Sequence, residues 1–384
     1  MARELIISSY LFICHVLFMI FKLFPQKQKT TFLASFGDNI DYVRRACLEL
    51  TNDQIIVLTS SSCRISFQNI KRQTVLPFED YNIVHFIRAI YHLATSKVIF
   101  LDNYFGCLSV MRFKHNVKCV QLWHAAGAIK KFGLKDPSIK NRTKSAQKRF
   151  YNVYNRFDYV VVGSEKMSNI FKESFNLSNN SIVRTGIPRT DFFFDQEKIT
   201  KTKVKLLKQY PIAKNKKIIL YAPTFRNDDL IQASVQLDIN RLSQELKDSH
   251  ILILKLHPAV RKHCKFINNE FIIDASNAVN VNEWLTITDI LITDYSSIPF
   301  EFSILKKPMI FYSYDLKAYQ KERGFWEDYR QNVPGPIASN TSDIIRIIKE
   351  NTFDLEKVRL FSEKWNEYST GDSSQKIIQF IYNQ

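Results

Sequence analysis

The chain has 384 residues, 45% of them hydrophobic and 13% aromatic, which is enough apolar material for two packed cores and too much for a disordered chain. Lys and Arg number 54 against 37 Asp and Glu, and the resulting net charge of +17 points to an anionic partner. None of the nine glycines falls in a GxGxxG or GxxxxGK[ST] pattern, and neither HExxH nor GxSxG occurs. That excludes a glycine-built dinucleotide loop, a P-loop and two common hydrolase classes.

Leu5–Phe24 is largely apolar, interrupted by Ser8, Ser9, His15 and Lys22 and followed by Lys27 and Lys29. A secretory signal needs a small-residue cleavage site, and Lys22-Leu23-Phe24-Pro25 offers none. Residues 1–29 therefore read as a membrane-associating segment. Such a stretch just spans a bilayer core of about 30 Å. His15 near its middle and the lysines at one end suit an interfacial helix as well, and burial against a neighbouring domain is the third reading.

Past residue 30, short apolar runs alternate with helical stretches. The first series predicts strands at Thr31–Phe36, Gln54–Thr59, Lys97–Leu101, Val117–Leu122 and Tyr159–Val162. A charged stretch from Gln196 to Lys217 follows, and a second series begins with Lys217–Ala222, His250–Leu256, Phe271–Ile273, Ile290–Thr293 and Met309–Tyr312. Each run is continuous rather than alternating, as buried parallel strands are. The expected architecture is α/β, with two doubly wound domains at 30–200 and 201–384 and ligands bound at strand carboxyl ends in the cleft between them.

Between Lys130 and Lys217 lie 21 basic and 7 acidic residues, so the positive charge is concentrated there. Phospholipid head groups or a phosphorylated substrate fit this better than nucleic acid, for which no recognition motif is present. The six cysteines include no CxxC pair and read as reduced, mostly buried thiols. His263-Cys264 near His257 lacks a second cysteine pair, so no metal is expected.

The polar residues that follow predicted strands are the candidates for chemistry. His124, after Val117–Leu122 and before Ala125-Ala126-Gly127, is either a general base in the cleft or a satisfied structural histidine. Pro223-Thr224-Phe225-Arg226 ends the next strand; its arginine either clamps a phosphate or lies on the surface. Lys255 and His257 suit stabilisation of a leaving group. Asp294-Tyr295-Ser296-Ser297 opens a predicted helix with Pro299 in its first turn, an anion site or a simple cap, with Glu301 a turn further on. Arg189, in Thr185-Gly186-Ile187-Pro188-Arg189, and Arg323, in an aromatic-rich loop, complete the set.

Six segments in order, QLWHAAGAIKKFG, TGIPRTD, YAPTFR, LKLHP, LITDYSSIPFEFSILKKPMIFYSYDL and RGFWEDY, resemble the CDP-glycerol glycerophosphotransferase family of teichoic acid synthesis. They run from residue 121 to 329, about half the chain. The resemblance implies a GT-B-like fold of two Rossmann-like domains, an acceptor domain first and a CDP-glycerol-binding domain second. It also implies no metal cofactor and a place on the cytoplasmic face of the membrane.

Carried onto this sequence, His124 becomes the general base, and His257, Lys255 and Arg189 neutralise the pyrophosphate with Ser296 and Ser297. Pro223 and Thr224 line the cytidine and phosphate pocket, Glu301 contacts ribose or glycerol, and Arg323 is a further phosphate candidate. The family's polymerases read Trp-His-Gly-Thr-Pro where this chain has Trp123-His124-Ala125-Ala126-Gly127-Ala128. That variant resembles the primase branch, which adds one glycerol phosphate from CDP-glycerol to a ManNAc-GlcNAc-diphospho-undecaprenol acceptor, beside other enzymes of the pathway. It leaves the backbone role of Ala126 and Gly127 open. The rival readings are a polymerase of the same family, a nucleotide-sugar glycosyltransferase and a non-catalytic module that binds an anionic membrane surface.

Overall fold

The computed structural model describes residues 2–383 except 79, 81, 225, 227–234, 258, 259 and 261–267. His263 and Cys264 lie outside the described residues, as does Phe225. The chain forms two compact units. The first comprises Met1–Ala125, Phe132–Asp191 and Tyr368–Gln384, the second Ala126–Lys131 and Phe192–Glu367.

The first unit is built on seven parallel strands: β1 (Lys29–Ala34), β2 (Gln54–Thr59), β3 (Gln73–Pro77), β4 (Val98–Leu101), β5 (Lys118–Gln121), β6 (Tyr159–Val162) and β7 (Ile182–Arg184). Their order is β3-β2-β1-β4-β5-β6-β7. The central β1 is buried along its whole length, and Phe32 pairs with Val57 on one side and Phe100 on the other. The Phe32 and Phe100 rings stack at 5.2 Å inside the core. Because the chain winds outward from β1 in both directions, the sheet's switch point lies between β1 and β4. Parallel sheets bind ligands beyond the carboxyl ends of the strands at such a point.

The second unit carries β8 (Lys217–Tyr221), β9 (His250–Leu254), β10 (Ile272–Asp274), β11 (Ile290–Thr293), β12 (Met309–Tyr312) and β13 (Ile337–Ala338). Its order is β10-β9-β8-β11-β12-β13, again all parallel, with the switch point between β8 and β11. The charged stretch before it is a helix, Gln196–Gln209, started by the Asp195 side chain, which accepts from the Lys198 amide. That helix buries only Ile199 and Leu206.

Nine of the ten predicted strands start within one residue of an observed one. The tenth, Thr31–Phe36, is shifted by two, because β1 begins at Lys29. Lys29 is not a flanking surface cation: it is 1% exposed, and its ammonium donates to Thr95 Oγ1 at 2.6 Å. Burial pushes its pKa down to about 8.

The N-terminal segment is one helix, α1 (Ala2–Lys22), packed on α3 (Ile83–Thr95) and on the turn Gly106–Val110. At the far end of the chain, the helix Ser373–Tyr382 returns to the first sheet and packs on α2 (Asp38–Leu50). Its Ile377, Ile378 and Ile381 join the core around Phe32 and Val57. None of the five cysteines among the described residues is in a disulfide, and four of them are buried.

Candidate active site

Each unit gathers candidate residues at its own switch point. In the first, three strand ends converge: Ser35-Phe36-Gly37 after β1, Asp102 after β4 and Trp123-His124 after β5. The buried Asp102 carboxylate accepts from the amides of Ser35 (2.8 Å), Phe36 (3.0 Å) and Gly37 (2.7 Å). Burial pushes its pKa up to about 6 against the pull of those three amides.

The Asp102 carbonyl lies 2.9 Å from His124 Nδ1. A carbonyl only accepts, so the Nδ1 position carries the proton and Nε2 is the basic nitrogen. The imidazole stands between two rings, Phe36 and Trp123, each 4.2 Å away by centroid. Trp123 has a φ of +58°, a left-handed backbone that a bulky residue adopts at a cost. The Gln121 side chain supports it by accepting from the Trp123 amide at 2.9 Å.

Asn39, in the first turn of α2, ties this histidine to the arginine of TGIPRTD. Its amide nitrogen donates to the carbonyls of Leu122 (3.3 Å) and Trp123 (2.9 Å). Its oxygen accepts from the Arg189 backbone at 3.0 Å. The Arg189 charge and that of Arg64 act on the half-buried Asp38, whose pKa burial nonetheless raises. Two residues on, Asp191 accepts from the amides of Ser373 and Ser374, both at 2.9 Å, and so holds the returning C-terminal helix. The backbone just before His124 and that of Arg189 are thus joined by hydrogen bonds through an asparagine that the sequence motifs do not include.

In the second unit the hub is Asp294, 2% exposed, at the end of β11. Its carboxylate accepts from the Thr224 amide at 2.8 Å and from Arg226 at 2.9 Å. Arg226 also grips Asp315 through two bonds of 2.6 and 3.0 Å. The rings of Tyr295, Tyr314 and Tyr319 lie 4.7–5.4 Å from its guanidinium. Burial pulls the pKa of Arg226 down, but the Asp315 and Asp294 carboxylates more than offset it and hold the guanidinium firmly charged. Arg226 is therefore neither a surface residue nor an open phosphate clamp. It is a half-buried strut joining the ends of β8, β11 and β12.

Pro223, Thr224 and His257 line one small pocket with Arg226, Leu256 and Tyr314. The Thr224 hydroxyl is buried and has no hydrogen-bond partner among the described residues, which suits a hydroxyl awaiting a ligand's polar atom. Lys255 turns back and donates to the Ser276 carbonyl at 3.1 Å.

Asp294 does not cap the following helix, which covers only Ile298–Phe302. Ser296 Oγ accepts from the Ile298 amide, while Ser297 occupies the cap position without a side-chain bond. Both serines are half-buried, and Glu301 is fully buried.

Residues 129–131 and 324–326 join as a short antiparallel ribbon: Lys131 donates to the Gly324 carbonyl and Trp326 to the Ile129 carbonyl, both at 3.1 Å. This brings the ends of QLWHAAGAIKKFG and RGFWEDY together. Lys130, between them, lies near Arg323, Arg226 and Asp294, and burial pushes its pKa down to about 8. Gly127 lies flat on the Phe300 ring, where a Cβ would overlap. The aromatic residues around Arg323 pack on one another: Tyr295 and Tyr319 stack at 4.0 Å, and Phe325 and Tyr329 at 5.4 Å.

Residues 16–383 match the family model described as CDP-Glycerol:Poly(glycerophosphate) glycerophosphotransferase. The teichoic acid glycerol-phosphate primase of Bacillus subtilis (strain 168) is 37% identical over 99% of this chain and 98% of its own length. The teichoic acid poly(ribitol-phosphate) polymerase of Bacillus spizizenii (strain ATCC 23059 / NRRL B-14472 / W23) is 38% identical over 77% of this chain but only 48% of its own length. Among solved structures, the wall teichoic acid polymerase TagF superposes with a TM-score of 0.81 at 21% identity, covering 100% of this chain and 97% of that one. At that identity the likeness carries the fold.

Proposed function

The chain belongs to the CDP-glycerol:poly(glycerophosphate) glycerophosphotransferase family and is a teichoic acid glycerophosphotransferase; on that premise we propose that it is the glycerol-phosphate primase. It transfers one glycerol phosphate from CDP-glycerol to the ManNAc-GlcNAc-diphospho-undecaprenol acceptor at the cytoplasmic face of the membrane. What supports this reading is the match to a glycerol-phosphate primase at 37% identity over 99% of this chain and 98% of that protein's length.

In this mechanism Nε2 of His124 takes the proton of a ManNAc hydroxyl as its oxygen attacks the β-phosphorus in line. The new P–O bond forms as the bond from that phosphorus to the bridging oxygen breaks, and CMP leaves. Asp102 and the two flanking rings support the role by fixing the imidazole's proton and plane. His257, Lys255 and Arg189 neutralise the pyrophosphate, with Ser296 and Ser297 beside them and Arg323 as a further cation. Pro223 and Thr224 receive the cytidine and its phosphate in the pocket that they share with His257. Glu301 is assigned to the ribose or glycerol. Its full burial makes an indirect action the simpler form of that role. Ala126 and Gly127 shape the segment behind His124.

The test is CMP release by the full chain with CDP-glycerol and a short-chain acceptor lipid, followed by mass spectrometry of the product. A single added glycerol phosphate is expected, and a ladder would make the enzyme a polymerase. His124→Ala should lower turnover on the order of 10²–10⁴-fold. Near-normal turnover in that variant would remove His124 from the chemistry.

A further inference from the structure

We propose that Lys130 is a catalytic residue, whose ammonium binds the donor's pyrophosphate and meets the charge that gathers on CMP as it leaves. This rests on the phosphoryl transfer in the reading above and adds to that site a cation outside the strand-end set.

Lys130, Arg226, Asp294 and Asp315 all belong to the second unit. There Arg226 takes up both carboxylates. Asp294 accepts from Arg226 through one oxygen at 2.9 Å. Its other oxygen accepts from the amides of Thr224 and Tyr295, at 2.8 and 2.7 Å. Asp315 accepts from Arg226 at 2.6 and 3.0 Å and from the Tyr295 hydroxyl at 2.9 Å. Asp294 reaches Lys130 only through its charge.

Lys130 is half-buried, and its ammonium has no hydrogen bond or ion pair among the described residues. It stands over the Tyr319 ring, 6.0 Å from the centroid. Keeping a cation from water without an acceptor opposes folding, and lysines usually avoid that cost by extending into solvent. Lys130 is held at its base instead. Its backbone pairs with Phe325, between the Lys131–Gly324 and Trp326–Ile129 hydrogen bonds. The buried Phe325 ring packs on Tyr295, Tyr319 and Tyr329, at 5.4–6.2 Å. The ribbon thus fixes three unused N–H donors at the switch point of the second sheet, where a parallel sheet takes its ligand.

The other cations of this region suit the task less well. Arg226 spends its donors on Asp294 and Asp315, and Arg323 is exposed in the last turn of the helix Leu316–Arg323. An ammonium is a compact point charge that can follow phosphate oxygens as charge moves among them. When the bond from the β-phosphorus to the bridging oxygen breaks, its electron pair stays on that oxygen, and the CMP phosphate gains one negative charge. Lys130 donates a hydrogen bond to that phosphate and keeps its own proton, so the step acquires no further proton transfer.

Lys130→Met keeps the aliphatic stem and removes the charge. Without ligands, its urea midpoint should equal or exceed that of the parent, because an apolar group replaces a cation without an acceptor. With CDP-glycerol and the acceptor lipid, its kcat/KM should fall on the order of 10²-fold, with part of the loss in kcat. In Lys130→Ala, added ethylammonium should restore part of the lost turnover, and sodium at equal ionic strength should not. Parental kcat and KM in Lys130→Met would overturn the proposal and leave the transfer reading intact. A loss confined to KM would limit Lys130 to holding the donor and overturn its part in the departure of CMP. A lowered urea midpoint in Lys130→Met, with no ethylammonium rescue of Lys130→Ala, would make the ammonium structural and also overturn it. No CMP release by the parent chain would remove the transfer reading and the proposal with it.

Discussion

Asn39 is a buried amide that satisfies three backbone groups at once, the carbonyls of the two residues before His124 and the amide of Arg189. Asn39→Ala leaves two carbonyls and one amide without their partner, at a cost of about 1–3 kcal/mol in urea unfolding. Turnover should fall with it, because the segments carrying His124 and Arg189 lose their common tether. An unchanged kcat in a destabilised variant would restrict Asn39 to folding. Lys130 gives a prediction in pH. Its folded pKa of about 8 lies below the ordinary 10.5, so its charge disappears as pH rises through 8. If that charge helps hold the donor, the KM for CDP-glycerol rises between pH 7 and 9, and Lys130→Arg, which stays protonated, keeps it flat. For stability the sign is opposite: the cost of burying the cation is full below pH 8 and is relieved as pH climbs toward 10.5. Neither residue stands out in the sequence, where Asn39 reads as one more polar residue at a helix start and Lys130 as one of 21 clustered cations. Arg226 shows the converse. Its motif position was visible, but its partners Asp294 and Asp315 lie 68 and 89 residues away.

Elements with continuous apolar runs are the ones that local sequence places well, and β11 and β12 coincide with their predicted spans. The exceptions sit at sheet edges. β3 reads Gln-Thr-Val-Leu-Pro and exposes its last residue, and β13 has two residues. An edge strand needs neither burial on both faces nor a full ladder, so its sequence carries little periodicity. The ribbon of 129–131 with 324–326 is invisible for another reason: it pairs motifs almost two hundred residues apart, and neither side is strand-like alone. It explains why small residues follow His124. At Gly127 the requirement is a flat approach to the Phe300 ring, so Gly127→Ala forces that ring against Phe361 and Trp365. The expected cost is about 1–3 kcal/mol. The loss should be partly recovered in Gly127→Ala with Phe300→Leu, which thermal unfolding of both variants would show. No recovery would place the strain elsewhere.

If the chain binds an anionic membrane surface as proposed, its positive charge and the exposed apolar residues of α1 are two separate attractions, and ionic strength divides them. The charge term acts over a Debye length that shrinks from about 10 Å at 0.1 M to about 3 Å at 1 M salt. The apolar term depends on area removed from water and is left intact by salt. Partitioning onto phosphatidylglycerol vesicles should therefore fall steeply between those salt concentrations and level off above zero. On phosphatidylcholine vesicles the same residual should appear at every salt concentration. The variant F12E/I20E, changed at two exposed positions of α1, should lose the residual and keep the salt-dependent part, because the 21 basic residues between Lys130 and Lys217 are untouched. Should the parent chain detach completely at 1 M salt, charge alone would hold it to the surface and the exposed flank of α1 would have no part in attachment. Should the residual persist in F12E/I20E, another apolar surface would be responsible, with Ile83 and Val84 the next positions to change.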